Sequence, residues 1–216
     1  MRIIIAPARK MNPELDSLAP ESLPRFLDRT ERLKAALQAM TPGELQKLWK
    51  CNDAIAALNV ERLRDMDLRR RLNPAVLAYE GIQYQYMAPG VFETGQFDYI
   101  REHLRILYGF WGSALADQLA AEIGLILNLA SNEYSRAVKP HLPSTVRFLT
   151  CTFGELKDGN VIEKGVLCKM ARGRMVRWLV ENDVTAPENI KNFAELGYRY
   201  SSTHSAENNY VFIRRK

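Results

Sequence analysis

The chain has 216 residues, 47% of them hydrophobic and 25% charged, with a net charge of +5 and a pI of about 9.1. These proportions belong to a folded soluble domain with ample material for a core, and they exclude disordered, collagen-like and low-complexity classes. Three cysteines, Cys51, Cys151 and Cys168, are odd in number and far apart. They exclude a disulfide framework and point to a reducing cytoplasm, and no apolar run approaches the roughly 18 residues of a membrane span.

The first element is "RIIIA", a buried-type strand of β-branched residues broken by Pro7 and followed by Arg9 and Lys10, which makes it a strand and not a signal peptide. "LPRFLDRTERLKAALQAM" places Leu23, Phe26, Leu27, Leu33 and Leu37 mostly at helical spacings. "TPGELQKLWK" opens with Thr41 as N-cap, Pro42 at the first helical position and Glu44 closing a capping box. A third helix starts at Asn52 or Asp53. "PAVLAYEGIQYQYM" reads as a strand over Val76, Leu77 and Tyr79 with a turn at Gly81.

"QFDYIREHLRIL" predicts an amphipathic helix with Phe97, Ile100, Leu104 and Leu107 on its apolar stripe. "SALADQLAAEIG" is a further helix stopped by Gly124, "LILNLA" a second buried strand, and Ser131 caps a short helix through "SNEYSRAV". In "STVRFLTCTFGELKDGNVIEKG", Asp158-Gly159 is the strongest hairpin signal in the chain. A helix from Val166 to about Glu181, a short helix at "APENIKNF" and two late strands, "YRYSS" and "NYVFIRR", complete the order. Strands at both ends and in the middle predict one α/β domain over residues 1–216, a mixed sheet surrounded by helices.

The chemistry concentrates in "CKMARGRMVRW", where Lys169, Arg172, Arg174 and Arg177 occur without an acid among them. A solvated helix face ordinarily mixes signs to form i,i+4 pairs. Residues 164–180 hold no acid, and neither does the stretch 134–154 that carries Arg136, Lys139 and Arg147. Two such segments in one small domain predict an anion-binding surface. Gly173 lies inside the helix at a cost of about 1 kcal/mol relative to Ala, so either a backbone or a phosphate is expected to approach it closely.

Other constellations are weaker. His103, His141 and His204 show no metal-ligand spacing, and no phosphate-binding glycine loop or nucleophile elbow is present. No cofactor and no metal are therefore expected. Cys168 sits near a helix start, four residues before Arg172, but on the apolar face, which predicts a buried, inert thiol. "GFWG" at 109–112 resembles a helix-hairpin-helix turn without its usual spacing, so a plain turn between two helices is the favoured reading.

Taken together, "MRIIIAPARKM", "AYEGIQYQYM", "NLASNEYSRAVKP", "KMARGRMVRWLVEN" and the late "GYRYS" resemble the YaaA family of bacterial peroxide-stress proteins, in order over nearly the whole chain. The resemblance implies a compact α/β domain of unusual topology with a helix-hairpin-helix element. It implies a cytoplasmic protein that limits oxidative damage by keeping unincorporated iron low, and that binds DNA through a basic cleft. The cations on the matching motifs are Arg9, Lys10, Arg136, Lys139, Lys169, Arg172 and Arg177, with Arg174 added by the charge pattern. Three departures stand out. Ala6-Pro7-Ala8-Arg9 replaces Ser-Pro-Ala-Lys, and Cys168 replaces a small apolar residue. "ILYGFWG" reads as a join, where members carry a further segment between Leu107 and Phe110.

The expectation from sequence is thus a monomeric, non-enzymatic binder of double-stranded or branched DNA, with no membrane association. The alternative is an enzyme acting on nucleic acid or a small phosphorylated compound in the same cleft, with Glu80 or Glu133 as acid or base.

Overall fold

The computed structural model describes residues 1–12, 23, 27–70, 72–107 and 124–215. Their contacts divide into two compact units, residues 13–75 and residues 1–12 with 76–216.

The smaller unit holds α1 (Leu27–Gln38), α2 (Pro42–Trp49) and α3 (Asp53–Arg64). Local chemistry sets their starts. The Thr41 side chain accepts from the Glu44 amide while the Glu44 carboxylate accepts from the Thr41 amide at 2.8 Å, completing the capping box. Those hydrogen bonds hold the Glu44 carboxyl below its usual range. Asn52 is the N-cap of α3, its side chain accepting from the Ile55 amide at 3.0 Å. Leu45, Ala56 and Leu63 are buried, and Gln38 Nε2 donates to the Leu63 carbonyl at 2.8 Å, tying α1 to α3. Leu23 is exposed, and Phe26 lies outside the described residues.

The larger unit is built on a mixed sheet. Its strands are β1 (Arg2–Ile5), β4 (Leu104–Ile106), β5 (Leu125–Asn128), β6 (Arg147–Lys157), β8 (Tyr198–Tyr200) and β9 (Asn209–Arg214), in the order β4-β1-β5-β6-β9-β8. All neighbours are parallel except the last pair, and β7 (Asn160–Ile162) folds back antiparallel on β6. The β6–β7 turn places Asp158 at φ 50° and Gly159 at φ 78°, as the Asp-Gly signal requires. A separate two-stranded ladder joins β2 (Lys10–Met11) to β3 (Tyr79–Glu80), preceded by a helical turn α4 (Ala75–Ala78).

Side chains of β1 alternate between two cores. Ile3 and Ile5 join Leu127, Leu149, Phe153 and Phe212 on one face, beneath α5 (Ile82–Met87), α6 (Thr94–His103) and α8 (Gly165–Glu181). Ile4 joins Ile126, Val138 and Val146 on the other, with α7 (Asn132–Ser135) and the turn after it. The α/β class with a mixed sheet is as the sequence predicts. No helix among the described residues is long and apolar enough to cross a membrane.

Three segments differ from the sequence reading. Val76 and Leu77, expected in a strand, lie in the helical turn α4, and of the three named residues only Tyr79 enters a strand, β3. Residues 82–87 form a helix, burying Gln83, Tyr84 and Met87 at spacings that suit one helical face. Leu104 and Leu107 leave the predicted helix, which ends at His103, and the chain enters β4 with Leu104 beside Ile3. A short apolar run satisfies either period, and the open edge of β1 decides. The helix expected at 113–124 and the "GFWG" turn lie outside the described residues, apart from Gly124.

Candidate anion site at the ends of the parallel strands

From β1 the chain reaches β4 on one side of it, then returns to β5 on the other. The loops that leave the C-terminal ends of β1 and β5 therefore diverge, and in parallel α/β sheets such a switch point is where ligands bind. Ile4 is level with Asn128, so Ala6–Lys10 and Leu129–Arg136 leave from the same edge. Asn128 shapes the second exit. Its buried side chain accepts from the Ala130 amide at 3.0 Å and reaches Thr150 Oγ1 at 3.4 Å.

Helix α5 lies across this edge. The Tyr84 hydroxyl donates to the Ala6 carbonyl at 2.8 Å, past the end of β1, and Gln83 Nε2 reaches the Leu129 carbonyl at 3.5 Å, past the end of β5. Burial pushes the Tyr84 phenol far up. Helix α8 then packs on α5 at Gly173. A Cβ built there would stand 2.0 Å from the Gln83 carbonyl oxygen and 3.1 Å from the Met87 amide nitrogen. Of the two partners the sequence leaves open for Gly173, the close one is a backbone.

That contact changes the reading of the basic run. At about 100° per residue with Lys169 as zero, Val180 and Gly173 fall near 20° and 40°, and Met175, Cys168, Leu179 and Val176 near 240°, 260°, 280° and 340°. All six are buried, because the sheet covers one side of α8 and α5 another. Arg172 falls near 300°, between Leu179 and Val176 and away from Arg174 and Arg177; Lys169, at zero in the same arc but one turn nearer the helix start, is exposed. Arg172 is half-buried, close enough to the Cys151 and Cys168 thiols for its charge to act on them, and its Nε is fully buried with no hydrogen-bond partner among the described residues. No carboxylate pairs with it among the described residues.

The other predicted cations divide. Arg174 pairs with Glu195 at 3.2 Å and Arg177 with Glu181 at 2.6 Å; Lys10 pairs with Glu80 at 2.5 Å, its cross-strand neighbour. Lys139 sits over the Phe148 ring at 5.6 Å, against the core on the other face of the sheet from α8. Arg9, Arg136 and Lys169 are exposed and make no ion pair among the described residues. Arg9 and Arg136 lie on the two diverging loops. Of the two carboxylates, Glu80 is the partner of Lys10, while Glu133 is exposed in the first turn of α7 on the β5 exit loop.

The thiols are inert by environment. Burial pushes both Cys151 and Cys168 up, against a smaller opposing pull from Arg172, and Cys168 Sγ donates to the Phe153 carbonyl at 3.1 Å. Among the described residues no three His, Cys, Asp or Glu side chains gather as metal ligands. Sequence reasoning missed Gln83, Asn128 and Tyr84, which frame the crevice. The clustering of "YEGIQYQYM" signalled a special segment without its secondary structure.

Comparison with known proteins supplies the lineage. The family model for peroxide stress protein YaaA matches residues 1–112 and 107–204. A UPF0246 protein of Desulfitobacterium hafniense (strain Y51) is 44% identical over 246 residues, covering 99% of this chain and 98% of its own. One from Agathobacter rectalis is 40% identical over 247 residues, covering 100% and 99%, and one from Pediococcus pentosaceus is 38% identical over 246, covering 99% and 98%. An alignment of 246 positions exceeds the 216 residues here by 30, so the Desulfitobacterium relative has at least that many positions with no counterpart in this chain. The chain belongs to the peroxide stress protein YaaA family.

Proposed function

We propose that this cytoplasmic, monomeric peroxide-stress protein binds DNA at the switch-point edge of its sheet and so limits iron-dependent oxidative damage. The observation that carries the reading is Arg172. A guanidinium held in a buried arc with an unpartnered Nε is costly unless an anion completes it, and a phosphate is the anion a fork of donors suits best. Arg9, Arg136 and Lys169, exposed and without an ion pair among the described residues, supply the remaining charge. Arg174, Arg177 and Lys10, each engaged by a carboxylate, contribute less, and Lys139 lies on the far face. The two family matches meet at 107–112, which supports reading that junction as the place of the relatives' extra positions.

The test is binding to duplex, single-stranded and branched DNA across a salt series. Neutralising about four phosphates gives a slope of log K against log salt of roughly −3.6. Arg9→Ala, Arg136→Ala, Lys169→Ala and Arg172→Ala each flatten the slope by about one unit, whereas Arg174→Ala changes it little. An affinity that ignores salt, or an Arg9→Ala/Arg136→Ala double variant binding as the parent does, refutes the phosphate role.

The depth of Arg172 also favours a second reading, an enzyme acting on nucleic acid or a small phosphorylated compound in the same crevice. Glu133, exposed on the β5 exit loop and without an ion pair among the described residues, is then the better acid or base than Glu80. Turnover of a phosphorylated substrate that is lost in Glu133→Gln while DNA binding persists selects it.

A further inference from the structure

Beyond the C-terminal ends of β6 and β9 lies a second cleft, sharing no residue with the crevice above. Strand β6 outlasts its partners. Its pairing with β5 ends at Thr150 and with β9 at Gly154, after which it turns into the β7 hairpin. The hairpin, the end of β9 and the β8 edge with the short helix Ser202–His204 border an open cleft of about 760 Å³. That volume lies in the range of small-molecule sites.

Its lining has three chemically distinct parts. The first is cationic: Lys157, Lys164, Arg199, Arg214 and Arg215 line it, with Glu155 the one carboxylate among the described lining residues. Glu155 pairs with Lys164 at 2.7 Å and Arg214 at 3.4 Å, so the balance stays strongly positive. Two of the arginines are preset by the backbone. Arg199 Nη1 donates to the Ala194 and Tyr198 carbonyls, both at 2.8 Å, and Arg214 Nε donates to the Leu196 carbonyl at 3.2 Å. The second part is apolar: Ile162, 44% exposed, stands opposite Glu155 and so on the same face of the hairpin as that carboxylate, whereas Leu156 stands opposite Val161 on the other face. The third is a hydrogen-bonding corner. Ser201 Oγ and Thr203 Oγ1 lie 2.8 and 3.0 Å from His204 Nδ1 and 3.1 Å from each other.

We infer that this cleft binds a nucleoside phosphate. The cations take the phosphate groups, Ile162 covers the flat base, and the Ser201–Thr203–His204 corner meets sugar or base hydroxyl and amide groups. A plain anion site needs no apolar wall, and an apolar ligand needs no cations; a nucleotide uses both. The site is independent of the DNA reading.

The experiment is calorimetric titration of the full chain with ADP, adenosine and inorganic phosphate. ADP binds with both singly weaker by at least tenfold. The charge reversal Lys157→Glu/Arg215→Glu, on exposed side chains, lowers ADP affinity at least tenfold while circular dichroism, melting and duplex-DNA affinity stay as in the parent. Ile162→Ser, which adds no charge, weakens ADP and adenosine but not phosphate. No heat from ADP at millimolar concentration, phosphate binding as tightly as ADP, or a charge-reversed variant with unchanged ADP affinity overturns the inference. Loss of ADP binding in Arg9→Ala/Arg136→Ala overturns its independence from the crevice.

Discussion

Replacing Gly173 by alanine tests the packing on which the candidate site stands. In an exposed helix the change would gain about 1 kcal/mol of helix propensity. Here the new methyl would meet the Gln83 carbonyl oxygen at 2.0 Å, its carbon at 2.9 Å and the Met87 amide at 3.1 Å. All three are backbone atoms, so no side-chain rotation relieves the clash. A comfortable C···O contact is about 3.3 Å, so α5 and α8 must part by roughly an ångström. Helix α5 cannot simply follow, because Tyr84 anchors it to Ala6 and Met87 is fully buried. Overpacking of this kind costs about 3 kcal/mol at the upper end of its usual range, leaving about 2 kcal/mol net. For a chain of this size that lowers Tm by about 4–8 °C. Urea unfolding followed by circular dichroism, with a thermal melt beside it, reads the change. Gly173→Ala as stable as the parent, or more so, refutes the close approach of the two helices, and with it the buried arc that holds Arg172.

Arg172→Met separates stability from binding: removing an unsatisfied buried donor leaves unfolding free energy unchanged or raised by about 1 kcal/mol, while DNA affinity falls. A loss above about 2 kcal/mol in urea unfolding shows instead that the guanidinium is satisfied within the fold. Alkaline pH should destabilise the chain. Burial raises Cys151 and Cys168, Tyr84 and Tyr99, and pushes Tyr198 up to about 12, so the unfolded chain ionises first and releases protons the fold retains. The stability these groups contribute is full below the ordinary thiol value of 9.0 and declines as pH rises past it, then past the phenol value of 10.0; a flat unfolding midpoint between pH 8 and pH 10.5 contradicts this. Native thiol labelling at pH 8 should proceed at Cys51, which is only partly buried, and stall at the other two; equal rates at all three would show those two to be accessible.

Much of the fold was legible because its signals are local. Thr41 and Glu44, Asn52, Asp158-Gly159 and the β-branched run Ile3–Ile5 each carry their geometry in a few adjacent residues, and each element stands where the sequence put it. The segments that differ are those whose local signal allowed two answers. "IQYQYM" became a helix that lies across the ends of β1 and β5, and Leu104 became a strand residue because the edge of β1 was open to it.

The site divides the same way. Acid-free segments are visible in composition, and a glycine inside a helix announces a close neighbour. Which cations remain unpaired is a long-range matter. Glu195 reaches Arg174 from 21 residues away and Glu80 reaches Lys10 through the β2–β3 ladder, while Arg172 is half-buried on a helix that α5 and the sheet cover on two sides. Sequence counts charges; only the fold decides their partners, since Coulomb attraction acts through a few ångströms of space and not along the chain. The second cleft shows this most fully, because its cations come from β6, from the start of α8, and from β8 and β9, and no stretch of sequence holds them together.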